Sequence, residues 1–255
     1  MSADALVSYR IEHDIAHLRL QRAERHNALV PALLRDLRAV LGHARAAAPR
    51  ALVLSAAGRS FSTGGDVRAF YDTPRPARRD YAAAVVGELN AAILDLLRLP
   101  FPTLVCVQGT VTGGALGLML ACDIAIATPK ASFAPWYTAV GFSPDGGWSA
   151  LLPERIGRTR ALEIQLLNRR VGADEAWRIG LVHRLADDDS AQALALDMAA
   201  SLCAAWPRSV ARTLALTRPD IERTRAALDA EYREFLDQIE SDEADAGMAR
   251  FLAAR

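Results

Sequence analysis

Two short runs of mostly apolar residues, Ala51-Leu52-Val53-Leu54-Ser55 and Pro102–Gln108, each open into a glycine-rich loop that leads back into helical spacing. Strands this apolar need cover on both faces, and the helices between them supply it, which is the arrangement of a layered α/β fold. The alternation predicts an antiparallel pair over Ala5–Ile11 and Ile15–Leu20, turned near His13-Asp14, and a helix from Pro31 to about Ala48 with Leu33, Leu34, Leu37 and Leu41 on one face. A long amphipathic helix is expected over Tyr81–Arg98, an apolar one from Gly114 to about Ala121, and a strand over Asp123–Ala127. The segment Thr73–Arg79, with two prolines and three arginines, reads as an exposed connection. Strands and helices alternate to about residue 185; beyond Ala191 the pattern is helical only, including Ala191–Ala205 and Asp220–Ile239. Residues 1–190 are therefore expected to form the core and 191–255 a helical cover or oligomerisation region.

Composition enters as a filter. With 255 residues and 51% hydrophobic content the chain can fill a large core, and 30 basic against 30 acidic residues give a formal net charge of zero. Neither a nucleic-acid partner nor a membrane surface is expected on that balance. Lys130 is the only lysine, so anionic groups would meet arginines and backbone N–H groups. Cys106, Cys122 and Cys203 sit in apolar surroundings without metal-ligand spacing and read as free thiols of a reducing compartment. The first residues lack the pattern of a secretory signal and no run is long enough to span a bilayer, so a cytoplasmic protein is expected.

The chemical signal lies in the two loops, Gly58-Arg59-Ser60-Phe61-Ser62-Thr63-Gly64-Gly65-Asp66 and Gly109-Thr110-Val111-Thr112-Gly113-Gly114-Ala115-Leu116-Gly117. Small residues let a backbone approach a ligand closely, and a helix opening at Gly113-Gly114 aims unpaired N–H groups outward. Two such donors meeting on one oxygen make an oxyanion hole, in which a single donor is typically worth about 3–4 kcal/mol of barrier. A dinucleotide site fits Gly109–Gly117 poorly: the spacing is not G-x-G-x-x-G, and Asp123 comes too early to bind a ribose. The histidines are scattered with no serine–acid partner, which argues against a serine-hydrolase triad.

Taken together, Ser60-Phe61-Ser62-Thr63-Gly64-Gly65-Asp66, Thr112-Gly113-Gly114-Ala115, Ala121-Cys122-Asp123-Ile124, Phe133–Pro153 and Gly247-Met248-Ala249-Arg250-Phe251-Leu252 resemble the enoyl-CoA hydratase/isomerase (crotonase) superfamily in order and over about residues 5–253. The resemblance implies a spiral of ββα units with a helical C-terminal region, assembly as a homotrimer or dimer of trimers, and an acyl-CoA thioester substrate whose coenzyme A is its own handle, with no further cofactor and no metal. Carried over by position, the oxyanion donors are the N–H groups of Ser62 and Gly114. Adenine is placed around Gly64, Gly65 and Asp66, and pantetheine beside Ala28. Phe251 is expected to reach a neighbouring subunit's coenzyme A, and Arg22, Arg25 or Arg255 to meet the phosphates.

The chain departs from that pattern where the hydratases carry two glutamates: the matching positions are Gly117 and Tyr137. Hydration needs one group to activate water and another to protonate carbon, so the resemblance points away from an efficient hydratase. Asp145, in Pro144-Asp145-Gly146-Gly147, stands where related isomerases and 3-hydroxyisobutyryl-CoA hydrolases are similar in carrying an acid/base aspartate; on local sequence it is also a turn former or helix cap. One carboxylate suffices for a 1,3-proton shift, and the aromatic residues Phe133, Trp136, Phe142 and Trp148 suggest a desolvated, restricted pocket that would raise its pKa. Tyr137 reads as a core aromatic or a hydrogen-bond donor to the acyl pocket, and Asp66 as the cap of a helix beginning at Val67. An isomerase-type enzyme is the leading expectation, with a 3-hydroxyacyl-CoA thioester hydrolase or a non-catalytic acyl-CoA binder as alternatives.

Overall fold

A computed structural model describes residues 5–254. The strands are β1 (Val7–Glu12), β2 (Ile15–Leu20), β3 (Ala51–Ala56), β4 (Thr103–Val107), β5 (Thr110–Thr112), β6 (Ile124–Ala127), β7 (Ser132–Ala134), β8 (Val171–Gly172) and β9 (Arg184–Leu185). The helices are α1 (Pro31–Ala47), α2 (Val67–Asp72), α3 (Arg75–Leu97), α4 (Ala115–Leu120), α5 (Tyr137–Val140), α6 (Leu152–Ile156), α7 (Arg158–Leu166), α8 (Ala173–Arg178), α9 (Ala191–Ala204), α10 (Pro207–Thr217), α11 (Ile221–Gln238) and α12 (Asp242–Ala253).

The larger sheet runs β1-β2-β3-β4-β6-β9, antiparallel only at the β1–β2 hairpin. His13 and Asp14 make that hairpin turn with positive φ, at 48° and 61°. A smaller sheet, β5-β7-β8, forms a second layer, extended by isolated bridges Ser62–Val111 and Leu29–Gly65. The backbone thus visits the large sheet, crosses to the second layer and returns through a helix, turn after turn. β3 and β4 are buried on both sides because one face meets the main core built with α1, α3 and α4, while Ile15, Ala51, Val53, Leu104, Cys106 and Ile126 on the other meet Ala191, Ala195 and Ala199 of α9. Leu33, Leu34, Leu37 and Leu41 all point inward from α1, as their spacing requires.

The segment Thr73–Arg79 is exposed over Pro74–Ala77 as expected, but from Arg75 it is helix rather than connection. α3 begins at Arg75, with Pro76 in the first turn, where a missing N–H costs nothing. Arg78 is only 5% exposed: its Nε–H donates to the Phe70 carbonyl at 3.1 Å and its guanidinium pairs with Asp245. Arg79 bridges Asp237 at 3.0 Å and Glu240 at 2.8 Å. The arginines that look like a solvated run in sequence therefore tie the start of α3 to the C-terminal helices. Among the described residues no helix is long and apolar enough to cross a membrane.

Candidate active site

The second layer brings the two glycine-rich loops edge to edge. Ser62 pairs with β5 as a ladder residue: its N–H donates to the Thr110 carbonyl at 3.1 Å, and its own carbonyl accepts from Thr112 at 3.2 Å. Its hydroxyl donates to the Asn27 carbonyl at 2.7 Å. The Ser62 N–H is therefore already committed to the sheet, and the residue is fully buried away from the cavity beside it. This corrects its assignment as an oxyanion donor. In the same loop Gly65 is differently placed. Its neighbour Gly64 accepts the Leu29 N–H at 2.8 Å in the parallel bridge, which turns Gly65's own N–H away from Leu29, and Gly65 lines the cavity with Gly114. Gly64 has φ of 75° and a Cβ there would lie 2.5 Å from the Thr112 carbonyl oxygen, so the loops meet only because that side chain is absent.

Six of the sequence-predicted residues line one cavity: Gly65, Gly114, Trp136, Tyr137, Asp145 and Phe251. Ala28, Ser62, Gly64 and Asp66 do not line it. Asp66 caps α2, accepting the Ala69 N–H at 3.3 Å, and it lies 3.6 Å from Arg22 and 3.4 Å from Arg25. The two arginines thus gather beside Gly65, while Arg255 lies outside the described residues. Phe251 comes from α12, lines this cavity and stacks edge-to-face on Trp136 at 6.0 Å.

Asp145 is buried beside Gly114, where an added Cβ would stand 3.0 Å from the Asp145 Oδ1. The Tyr137 hydroxyl donates to that same Oδ1, with the Asp145 carbonyl also in reach at 3.0 Å. Tyr137 is thus both a core aromatic and a hydrogen-bond donor. Burial pushes the Asp145 carboxyl up to about 7; the Tyr137 hydrogen bond opposes this rise and the nearby Glu231 charge adds to it. Burial and the adjacent carboxyl push the Tyr137 hydroxyl well above its usual value.

Three supporting residues were not singled out from the sequence. Glu231 of α11 is buried, and its carboxylate accepts from Gly147 N–H at 2.8 Å, Ser149 N–H at 2.7 Å, Ser149 Oγ–H at 2.7 Å and Ala150 N–H at 2.9 Å. It thereby fixes the turn that carries Asp145, although in sequence it is one more charge on a charged helix. Asn27, with φ of 51°, donates to the Ala57 carbonyl at 2.8 Å and the Ser60 carbonyl at 3.0 Å, pinning the first loop. Asn168 accepts the Trp136 N–H at 2.8 Å. Gly117 faces the same turn from below: a Cβ there would lie 2.0 Å from the Gly146 carbonyl oxygen.

A spiral of this kind, with two backbone loops meeting over a buried carboxylate, is a crotonase fold, and solved structures share it. An enoyl-CoA hydratase/isomerase from Xanthobacter autotrophicus superposes with a TM-score of 0.87 at 30% identity, covering 98% of this chain and 96% of that one. An enoyl-CoA hydratase from Bacillus halodurans gives 0.90 at 23% identity, covering 96% and 99%, and speaks to the fold alone. The family model described as enoyl-CoA hydratase/isomerase matches residues 10–255, and the chain belongs to that family. Its relatives differ in chemistry: a probable enoyl-CoA hydratase of Mycobacterium bovis is 35% identical over 226 residues, 86% of this chain and 75% of the relative. A 4-chlorobenzoyl coenzyme A dehalogenase of an Arthrobacter species is 33% identical over 208 residues, 80% of this chain and 75% of that one.

Proposed function

We propose that the protein is an isomerase-type member of its family, moving a proton from C2 to C4 of a 3-enoyl-CoA thioester with Asp145 as the single acid/base. The observation that carries this is the one carboxylate lining the cavity, buried and raised to about 7, beside Gly65 and Gly114, whose N–H groups find no backbone acceptor among the described residues. The Gly65 and Gly114 N–H groups hold the thioester oxygen as it gains negative charge. Ionised Asp145 takes the C2 proton, the dienolate forms against the two donors, and the same carboxyl returns the proton to C4. A group with pKa near 7 is suited to both halves of that exchange. Tyr137 orients the carboxylate through its hydroxyl. Water addition is disfavoured because the positions matching the hydratase glutamates are Gly117 and Tyr137, and Gly117 has no room for a side chain. Arg22 and Arg25, gathered beside Gly65, are placed to meet the phosphates of the coenzyme A handle.

The test is an NMR time course in D₂O with 3-enoyl-, 2-enoyl- and 3-hydroxyacyl-CoA esters. Conversion of 3-enoyl to 2-enoyl with deuterium at C2 or C4 is expected, and Asp145→Asn should slow it by about 10²–10⁴. Full activity in that variant overturns the assignment. Free CoA from the 3-hydroxyacyl ester would make the protein a thioester hydrolase, and tight binding without turnover a non-catalytic binder. The dehalogenase relative supports a second reading, with Asp145 as nucleophile toward an aryl chloride. Its weakness is the later hydrolysis: among the described lining residues there is no histidine and no second carboxylate to activate water. Chloride release from 4-chlorobenzoyl-CoA would favour that reading.

A further inference from the structure

The cavity beside Asp145 is small, about 50 Å³. At roughly 10–15 Å³ per water-sized group, it accepts about four such groups. Three mutually packed rings line it: Phe70 and Phe142 lie 5.9 Å apart, Phe70 and Phe235 5.9 Å, and Phe142 and Phe235 5.3 Å. The three rings pack against one another, and Tyr81 backs Phe70 at 5.2 Å. At the mouth stands Trp136, 38% exposed, against Phe251.

The mouth is held by more than packing. Trp136 has φ of 63°, in the left-handed region that bulky residues seldom enter, at a cost of order 1 kcal/mol or more. Such a conformation persists where its surroundings impose it. Asn168, itself at φ of 50°, accepts the Trp136 N–H, so the indole is aimed from the far side of the chain. On the other wall Arg250 donates to the Ala139 carbonyl at 3.0 Å, and Gly247 is pressed against the Val140 carbonyl, where a Cβ would come within 2.1 Å. α12 is thereby locked to α5, and Phe251 to Trp136.

We propose that Trp136 and Phe251 border a small, aromatic-lined acyl compartment that restricts the substrate to short acyl groups, on the order of four carbons, with Asn168 as the residue that positions this border. The proposal rests on the acyl-CoA reading above and adds the substrate class. It follows from the compartment's small volume, its packed aromatic lining and the contacts of Asn168 and Arg250 that hold Trp136 and Phe251 in place.

The test separates binding from turnover by using saturated esters. Acetyl-, butyryl-, hexanoyl- and decanoyl-CoA are titrated into the full-length protein by calorimetry, with free CoA as the baseline. Butyryl-CoA should bind at least tenfold more tightly than decanoyl-CoA. Trp136→Ala and Phe251→Ala, checked for folding by circular dichroism, should each shrink that ratio to threefold or less. Asn168→Ala should shrink it in part, while Asn168→Asp, which still accepts the N–H, should preserve it; a merely structural role for Asn168 would alter the melting temperature and leave the ratio alone. Affinity that climbs steadily to decanoyl-CoA in the unmodified protein overturns the chain limit while leaving the acyl-CoA reading intact. A ratio unchanged in both border variants overturns the role of the border. Failure of every ester to bind better than free CoA overturns the acyl-CoA reading itself.

Discussion

Burial sets the proton affinity of Asp145, and a raised carboxyl has two measurable signs. As a base it works only when ionised, so the rate of C2 exchange should rise with pH through about 7 and then level. Removing the Tyr137 donor withdraws a contact that favours the charged form, so Tyr137→Phe should move that limb to higher pH. Stability runs the other way. The folded-state pKa lies above the unfolded one, so the contribution is fully present below the unfolded value of about 4 and is lost as pH rises through about 7. Asp145→Asn should therefore be more stable than the parent at pH 8, by at most on the order of 4 kcal/mol, and lose that advantage near pH 4 in urea melts. Asp145 was legible in the sequence from its Pro-Asp-Gly-Gly setting, and so was the upward direction of its pKa; the extent was not, because much of the desolvating wall comes from α3, α5 and α11. The oxyanion donor was misplaced within its own loop for a related reason. Which N–H of Ser62–Gly65 is spent in a ladder depends on the partner strand, and a loop's composition carries no record of that pairing.

At the scale of elements, the turn 145–150 is held by a carboxylate from a helix some eighty residues later. Glu231→Gln keeps the shape but loses charge-assisted bonds from three backbone N–H groups and one hydroxyl, whereas Glu231→Ala leaves those donors buried and unpaired. The alanine variant should lose about 3 kcal/mol or more in denaturant midpoint analysis, and the glutamine variant less. In both, the exchange rate should fall with little change in ester affinity, and the pH limb should drop slightly as the Glu231 charge no longer raises Asp145. Helical spacing does put Glu231 on the buried stripe with Thr224, Leu228 and Phe235, but a carboxylate there reads as one more charge on a charged helix until its partners are known. The start of α3 failed to read as helix for the opposite reason: prolines and arginines suggest a loop until the acidic partners on α11 and α12, Asp237 and Asp245, are in place.

Over the whole molecule, the strand–helix alternation and the two loops were readable because local apolar periodicity fixes them, and the crotonase fold followed. The attachment of the C-terminal helices was not, because it depends on long-range ion pairs. Arg218, between α10 and α11, makes a bidentate pair with Asp123 at 2.7 and 2.6 Å and donates to the Leu97 and Phe101 carbonyls at 3.1 and 3.0 Å. Asp123 in turn accepts the Thr103 N–H at 2.7 Å, at the head of β4. Arg218→Ala should cost about 3–5 kcal/mol in equilibrium unfolding, and Arg218→Lys should recover little, since an ammonium cannot reproduce the fork. The contact between Gly117 and the Gly146 carbonyl reaches further than the stability of one turn. A glutamate at 117 has nowhere to go unless the 145–147 backbone moves first, and that backbone carries Asp145. Evolution from this active site toward a two-carboxylate one cannot proceed by a single functional substitution; it must pass through a rearranged turn, which separates the two chemistries by a valley in sequence space.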